Sequence, residues 1–427
     1  MKVLIKNGHL VDPKNDVDGQ HDVYLVDGRI ASLEKAPKGF KADETIDAQG
    51  QIIMPGIVDL CARLREPGQE HKGTIASETR AAAASGVTTL CVPPDTQPII
   101  DNPAVAELIQ RRAEQAGFAN VVTLGALTLG LQGEQLSEMD ELRIEGGCVG
   151  VSNGTRYIGN TLIMRRAMEY AASCGLTVFI TPEEHSLVNG GVAHEGSISS
   201  RLGLPGIPEA AETVAVAREL MLIEQTGVRA HFCRLSTGRA IQMIARAQHD
   251  GLPVTADVAA HQLHLTEMDL GYFNSQCHVR PPLRTQRDME CLHHALQSGN
   301  ITAVCSDHQP HDADAKLAPF SETEPGISAL ETLLPLTWRL VDEGLLTPIE
   351  AIARLTQHPA RILGLDKGQL AEGAVADICI FDAEQHWSVN AEQLVSQGKN
   401  TPLDGWELKG RVTYTLLNGK TVFALNA

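Results

Sequence analysis

Eight short apolar segments recur along the middle of this chain, at 56–60, 87–92, 121–127, 148–152, 176–181, 228–235, 254–258 and 301–306. Amphipathic stretches separate them, among them 104–116, 161–173, 209–226 and 237–250. A strand that is apolar on both faces must be covered on both, which is the situation of a parallel sheet with its crossover helices packed outside. Eight such units match the repeat of a closed (β/α)8 barrel of the TIM type, and 427 residues accommodate that barrel with insertions. A doubly wound open sheet is the alternative. It lacks support, because no Gly-x-Gly-x-x-Gly follows the first strand.

The two ends read differently. Near the start, Val3-Leu4-Ile5 alternates before Asn7-Gly8, and Val23-Tyr24-Leu25-Val26 runs into Asp27-Gly28 and Arg29-Ile30-Ala31. Asn-Gly and Asp-Gly between strands favour tight hairpins, because both central residues need positive φ. Near the other end, 376–381 reads as a strand, and 412–417 pairs across Asn418-Gly419 with Thr421-Val422-Phe423. The expected organisation is α/β: residues 1–53 and 366–427 together form a small β-sandwich, and 54–365 form the barrel.

Charge and cysteine usage exclude several function classes. A formal charge of −18 argues against a nucleic-acid surface or an anionic membrane as partner. No apolar run approaches the ~20 residues that cross a bilayer. The opening Met-Lys-Val-Leu-Ile-Lys-Asn-Gly breaks too soon into turn residues for a signal peptide, so the expected location is the cytoplasm. Nine cysteines with no Cys-x-x-Cys pair suit free thiols in a reducing compartment. Cys91, Cys148, Cys233 and Cys305 each sit in a short apolar run, where core packing is the expectation.

The most telling segment for chemistry is Pro55-Gly56-Ile57-Val58-Asp59-Leu60-Cys61-Ala62-Arg63-Leu64-Arg65-Glu66-Pro67-Gly68. It resembles the first barrel strand of dihydroorotases, metal-dependent amidohydrolases that carry His-x-His at the positions held here by Cys61 and Arg63. The resemblance to the longer bacterial dihydroorotases extends over nearly the whole chain. It rests further on Pro94-Asp95-Thr96-Gln97-Pro98, on Glu195-Gly196 and the stretch 201–208, and on Pro281-Pro282-Leu283-Arg284. Ser306-Asp307-His308-Gln309-Pro310-His311, Gly326-Ile327 with Leu330-Glu331-Thr332, and Gly373-Ala374-Val375-Ala376-Asp377 complete it.

That resemblance implies a site of known chemistry: a metal-bound hydroxide held by imidazoles and a bridging acid, with an aspartate as proton shuttle. Position by position, this chain departs from it. Asn153 stands where the family has a bridging aspartate, Thr181 and Arg234 where it has histidines, and of the metal-contacting set Asp307 alone is retained. An arginine keeps its proton at any biological pH and cannot ligate zinc. Among substrate contacts, Arg65 and His311 match the family, while Asp95 and Arg280 replace asparagines. His185 falls in a loop or helix past the fifth strand, and His231, three residues before Arg234, is expected on the opposite face. Glu183-Glu184 reads as a solvated loop or helix start.

The expectations follow. The metal site is vestigial, with no zinc and no other cofactor, and Asp307 with His308 is a catalytic remnant. An arginine at 63 or 234 is expected to pair with Asp307 in place of the metal's charge. The family contains non-catalytic members that assemble with the aspartate carbamoyltransferase catalytic chain, as homo-oligomers within a hetero-oligomer, and this chain resembles those. Two alternatives remain: a metal-free amidohydrolase built on Asp307, His308 and His311, and a non-catalytic sensor of a pyrimidine intermediate acting through Arg65.

Overall fold

In the computed structural model, which describes residues 1–425, eight parallel strands form one sheet in strict chain order. They are β1 (Ile57–Asp59), β2 (Val87–Val92), β3 (Asn120–Ala126), β4 (Gly150–Ser152), β5 (Val178–Ile180), β6 (Ala230–Phe232), β7 (Val254–Ala259) and β8 (Ala303–Cys305). One principal helix follows each: α1 (Ile75–Ala84), α2 (Pro103–Ala116), α3 (Met139–Ile144), α4 (Thr161–Ser173), α5 (Glu209–Thr226), α6 (Gly238–His249), α7 (Gln286–Ser298) and α8 (Leu330–Asp342).

The sheet closes just beyond β1 and β8. Arg63 N–H donates to His308 O at 2.9 Å, and His308 N–H donates to Cys61 O at 3.2 Å. Buried Asp59 reinforces the seam by accepting from Ser306 N–H at 2.9 Å and from the Ser306 hydroxyl. Burial pushes the Asp59 carboxyl up to about 6, against the pull of the Ser306 donors.

Local chemistry explains why the segments between strands are helical. In α2, the Asn102 side chain accepts from Ala104 N–H, Pro103 occupies the first turn, and Gly117 ends the helix at φ 72°. Val105, Ala106, Ile109 and Ala113 form its buried stripe against the sheet. Alternation then sorts the strand residues. Leu90, Val92, Val254 and Val304 join the layer beneath the helices, while Val58, Cys91, Leu124, Phe179, Ala259 and Cys305 fill the barrel interior. Cys91, Cys148, Cys233 and Cys305 are all buried, as their apolar surroundings in the sequence indicate.

The chain ends meet in a second, eight-stranded sheet. Its central path places Ile378–Ser388 antiparallel to Ile52–Pro55, which lies parallel to Lys2–Asp12. The two edges curl together, so Val3, Leu25 and Ile30 share a core with Ile378, Ile380 and Leu416. Asp27-Gly28 and Asn418-Gly419 make the tight turns that their sequences signal. Asn7-Gly8 does not. Asn7 has φ 62°, but Lys2–Asp12 continues through it as one strand with a bulge. A side chain at Gly8 would collide with Ile53, its Cβ falling 2.4 Å from Ile53 Cδ1, so this glycine serves close packing rather than chain reversal.

Candidate functional site

The C-terminal ends of the barrel strands, where this architecture places its chemistry, hold a cluster of opposite charges. Asp307 Oδ1 lies 3.5 Å from Arg63 Nη1 and 3.4 Å from Arg234 Nε. The latter contact is one of charge alone, because that N–H makes no hydrogen bond. Asp307 Oδ2 accepts from Gln309 Nε2 at 3.2 Å. Arg63 also grips Asp95 Oδ2 through Nη2 at 2.8 Å and Nε at 3.0 Å. Arg234 extends Nη1 to Cys61 Sγ and Nη2 to Thr181 Oγ1, both at 2.9 Å. The expected arginine–Asp307 pairing is thus present twice over, and the cluster balances two guanidinium groups against two carboxylates.

Burial dictates the protonation states. It raises the Cys61 thiol to about 12, against the pull of the Arg234 charge, with neighbouring Asp307 adding to the rise. Cys61 is therefore a neutral thiol, directed at Asp307 Oδ1 at 3.6 Å while its sulfur accepts from Arg234. Burial would raise Asp95 too, but the adjacent Arg63 outweighs it and holds the carboxyl below its ordinary value. Arg63 is conversely held more firmly protonated by Asp95 than burial would allow.

Arg65, Arg234 and Asp307 all take left-handed backbone conformations, at φ 64°, 55° and 48°. Such residues persist only where surrounding structure enforces them. The turn at Arg234 also overturns the simple alternation expected of its strand. His231 does not leave the barrel but points into its interior, with Nε2 2.9 Å from Asp257 Oδ2 and its ring 5.3 Å from Phe179. Asp257 Oδ1 in turn accepts the Arg234 backbone N–H at 2.5 Å.

The other positions singled out in the sequence are scattered or consumed. Asn153 turns from the cluster, accepting from Thr128 Oγ1 at 2.8 Å and donating to Arg156 O at 3.0 Å. Arg65 spends Nε on Pro310 O, Nη1 on Gln69 and Nη2 on His311 Nε2, at 2.9, 3.3 and 3.0 Å. His311 is buried, and desolvation with the nearby Arg65 charge lowers it to about 3. Arg280 forms a two-pronged ion pair with Glu183, one arm at 2.7 Å; Glu183 is thus paired rather than simply solvated. Glu184 caps the short helix His185–Val188, where His185 is exposed.

His308 is not beside Asp307 in any catalytic sense. Its Nδ1 accepts from Ala329 N–H at 3.0 Å, so Nε2 carries the proton and donates to Glu78 at 2.8 Å. Glu78 would be raised by burial, yet donors from His308, Ser396 and Ser77 keep it below its ordinary value. Sequence reasoning missed this pair, and it missed His261. That residue is buried at the end of β7, lowered to about 4 by desolvation, with Nδ1 unpartnered. Its place just past a barrel strand was the available signal.

The donor set does not fit the zinc that the resemblance implies. A carboxylate already claimed by two arginines offers no basin for a dication, and the guanidinium charges repel it. Among the described residues one triad of possible ligands comes together, His231, Cys233 and Asp257, with ligand atoms within 4.8 Å of one another. Both nitrogens of His231 and both oxygens of Asp257 are already engaged, and burial drives the Cys233 thiol far above its ordinary value. Space is short as well. The cavities beside the cluster measure about 20 Å³ near Arg63 and Asp95 and about 40 Å³ near Thr181 and Glu183. Small-molecule sites occupy roughly 300 Å³ or more.

Comparison with known proteins bears on the family and the fold. The Dihydro-orotase-like family profile matches residues 50–240, and the Amidohydrolase family profile matches 329–423. A "Dihydroorotase-like protein" of Pseudomonas aeruginosa is 51% identical, the match covering 98% of this chain and 99% of that one. A "Dihydroorotase" of Geobacter metallireducens is 42% identical, covering 99% and 100%. Among solved structures, the L-hydantoinase (dihydropyrimidinase) of Arthrobacter aurescens superposes with a TM-score of 0.88 at 23% identity, over 98% of this chain and 95% of that one. At that identity the likeness speaks for the fold alone.

Proposed function

We propose, from the premise that this chain belongs to the dihydroorotase-like amidohydrolase family, that it is a non-catalytic member serving as a structural subunit for the aspartate carbamoyltransferase catalytic chain. The observation that carries the reading is the Arg63–Asp307–Arg234 cluster, which fills the barrel mouth with fixed charge where the reaction needs a metal-bound hydroxide. Relatives named dihydroorotase raise the prospect of an active enzyme, but activity depends on ligands that this chain has exchanged for Arg63, Asn153, Thr181 and Arg234. A scaffold kept whole around a neutralised site suits a protein retained for binding.

The two alternatives find less support. A metal-free hydrolase needs Asp307, His308 and His311 to share one proton path, and their side chains face different partners. A sensor acting through Arg65 needs free guanidinium donors, and that side chain is committed to Pro310, Gln69 and His311.

Two measurements test the proposal. Emission spectrometry of protein purified without chelator is expected to give zinc far below one per chain, with no ring opening of dihydroorotate above the uncatalysed rate. Stoichiometric zinc with turnover would sink the non-catalytic reading. Size-exclusion chromatography with purified aspartate carbamoyltransferase is expected to show one larger species; separate elution, with unchanged transcarbamoylase activity, would sink the subunit role.

A further inference from the structure

The barrel is filled at its mouth and open at its opposite end. The cavities beside the charge cluster measure about 20 and 40 Å³, whereas a hollow of about 320 Å³ lies at the N-terminal ends of β5, β6 and β7. That volume is within the range of small-molecule sites. Thr177, Arg229 and Thr255 line it. They stand two residues before Phe179, His231 and Asp257, which lie inside the barrel, so strand alternation turns all three inward. The end of the short helix Gln357–Ile362 and the residues up to Gly364 form the facing wall, where Ile362 and Leu363 supply buried apolar surface.

The chemistry of this hollow is one-sided. Two guanidinium groups line it and no carboxylate does, a local reversal of sign in a chain of formal charge −18. Arg229 lends one arm to Gly175 O. Arg361 is exposed, and among the described residues its side chain has neither a hydrogen-bond nor an ion-pair partner. The two hydroxyls differ. His231 Nε2 faces the Asp257 carboxylate and carries the ring proton, so Nδ1 accepts from Thr255 Oγ1 at 2.8 Å. The Thr255 proton is thereby turned inward, whereas the Thr177 hydroxyl has no partner among the described residues and is free to donate. Larger hollows of about 400 and 480 Å³ flank the terminal sheet, but each sets a carboxylate beside its cations, Glu331 with Arg411 and Glu114 with Lys420.

We propose that the hollow at the barrel base binds a small organic anion, its carboxylate or phosphate held by Arg229, Arg361 and Thr177 and its apolar body laid against Ile362 and Leu363. Guanidinium groups take either oxyanion through paired N–H donors. The apolar wall favours an anion that carries a hydrocarbon part over a bare inorganic one. The site stands apart from the charge cluster at the mouth and does not depend on any protein partner.

The test is a titration of the full chain with benzoate, phenyl phosphate, inorganic phosphate and uncharged benzyl alcohol, read by ligand-observed nuclear magnetic resonance. At least one of the two organic anions is expected to bind at a single site in the millimolar range or tighter, and the tighter of them names the group that the site is built for. Benzyl alcohol and inorganic phosphate are expected to bind far more weakly. Arg361→Gln, which removes no polar contact within the chain and should leave the melting transition unaltered, is expected to weaken binding about tenfold or more, the scale of a lost charge-assisted hydrogen bond. Arg239→Gln, exposed on α6, is expected to leave it unchanged. The inference is overturned if neither organic anion binds, or if benzyl alcohol or inorganic phosphate binds as well. It is overturned equally if Arg361→Gln binds as tightly as the natural chain, or if Arg239→Gln loses as much. None of these outcomes touches the subunit reading.

Discussion

Replacing Asp307 by asparagine is expected to lower the unfolding free energy by about 3–5 kcal/mol, the cost of leaving a buried charge uncompensated. Arg63 would still have Asp95, but Arg234 would be left beside a neutral amide and a thiol that burial keeps protonated. Urea unfolding followed by circular dichroism measures the loss. The companion experiment removes one charge of each sign: Arg234→Met with Asp307→Leu leaves the Arg63–Asp95 pair balanced. Buried ion pairs replaced by apolar side chains are often neutral in stability, so the double variant should recover most of what the single one loses. Asp307→Asn with an unchanged urea midpoint would mean that the cluster is solvated and that its charges are not what occupies the site.

The second large effect is acid lability. Burial lowers His261 and His278 to about 4 and, with the Arg65 charge, His311 to about 3. In the unfolded chain each takes up its proton near pH 6.5. Their contribution to stability is therefore complete above pH 6.5 and is lost as pH falls through the folded values. Asp59 works the other way. Its folded carboxyl, raised to about 6, holds a proton that the unfolded chain releases near pH 4, so it stabilises at low pH and the gain fades as pH rises through 6. His194, His264 and His358 are lowered to about 4 in the same way, so the rings dominate over Asp59. The chain takes up protons on unfolding between pH 6 and pH 4, and stability falls as pH falls through that window. Below that range, loss of the depressed Asp95 and Glu78 carboxylates deepens the fall. A urea midpoint that stays flat between pH 6.5 and 4.5 would contradict the burial of these rings.

Much of this molecule was legible before folding, for identifiable reasons. Doubly apolar strand segments have one stable use, so the barrel could be read from the eight runs. Charge conservation made an arginine partner for Asp307 foreseeable, because a carboxylate at a dry strand end needs a cation. The failures share a cause too. Residues just past a strand end have left the two-residue alternation, as Arg234 did at φ 55°, and their directions follow from turn geometry that composition does not carry. Asn153 turned toward Thr128 and Arg156, and His308 turned toward Glu78 some 230 positions away, for the same reason. At Asn7-Gly8 a strong hairpin signal lost to packing, because Ile53 needs the space that a missing Cβ leaves.

The union of both chain ends in one sheet has a consequence for synthesis. Ile52–Pro55 pairs with Ile378–Ser388 through Ile52↔Phe381 and Pro55↔Ile378. At the roughly 5–20 residues per second of translation, the first strand leaves the ribosome well before its mate exists, by a delay on the order of tens of seconds. Throughout that interval Ile53 and Met54, fully buried in the finished fold, belong to an open edge. The barrel helices between them can form as they emerge, whereas this pairing waits until Ile378–Ser388 has been made. A stop codon ahead of Ile378–Ser388 would therefore leave Ile52–Pro55 without its closing strand.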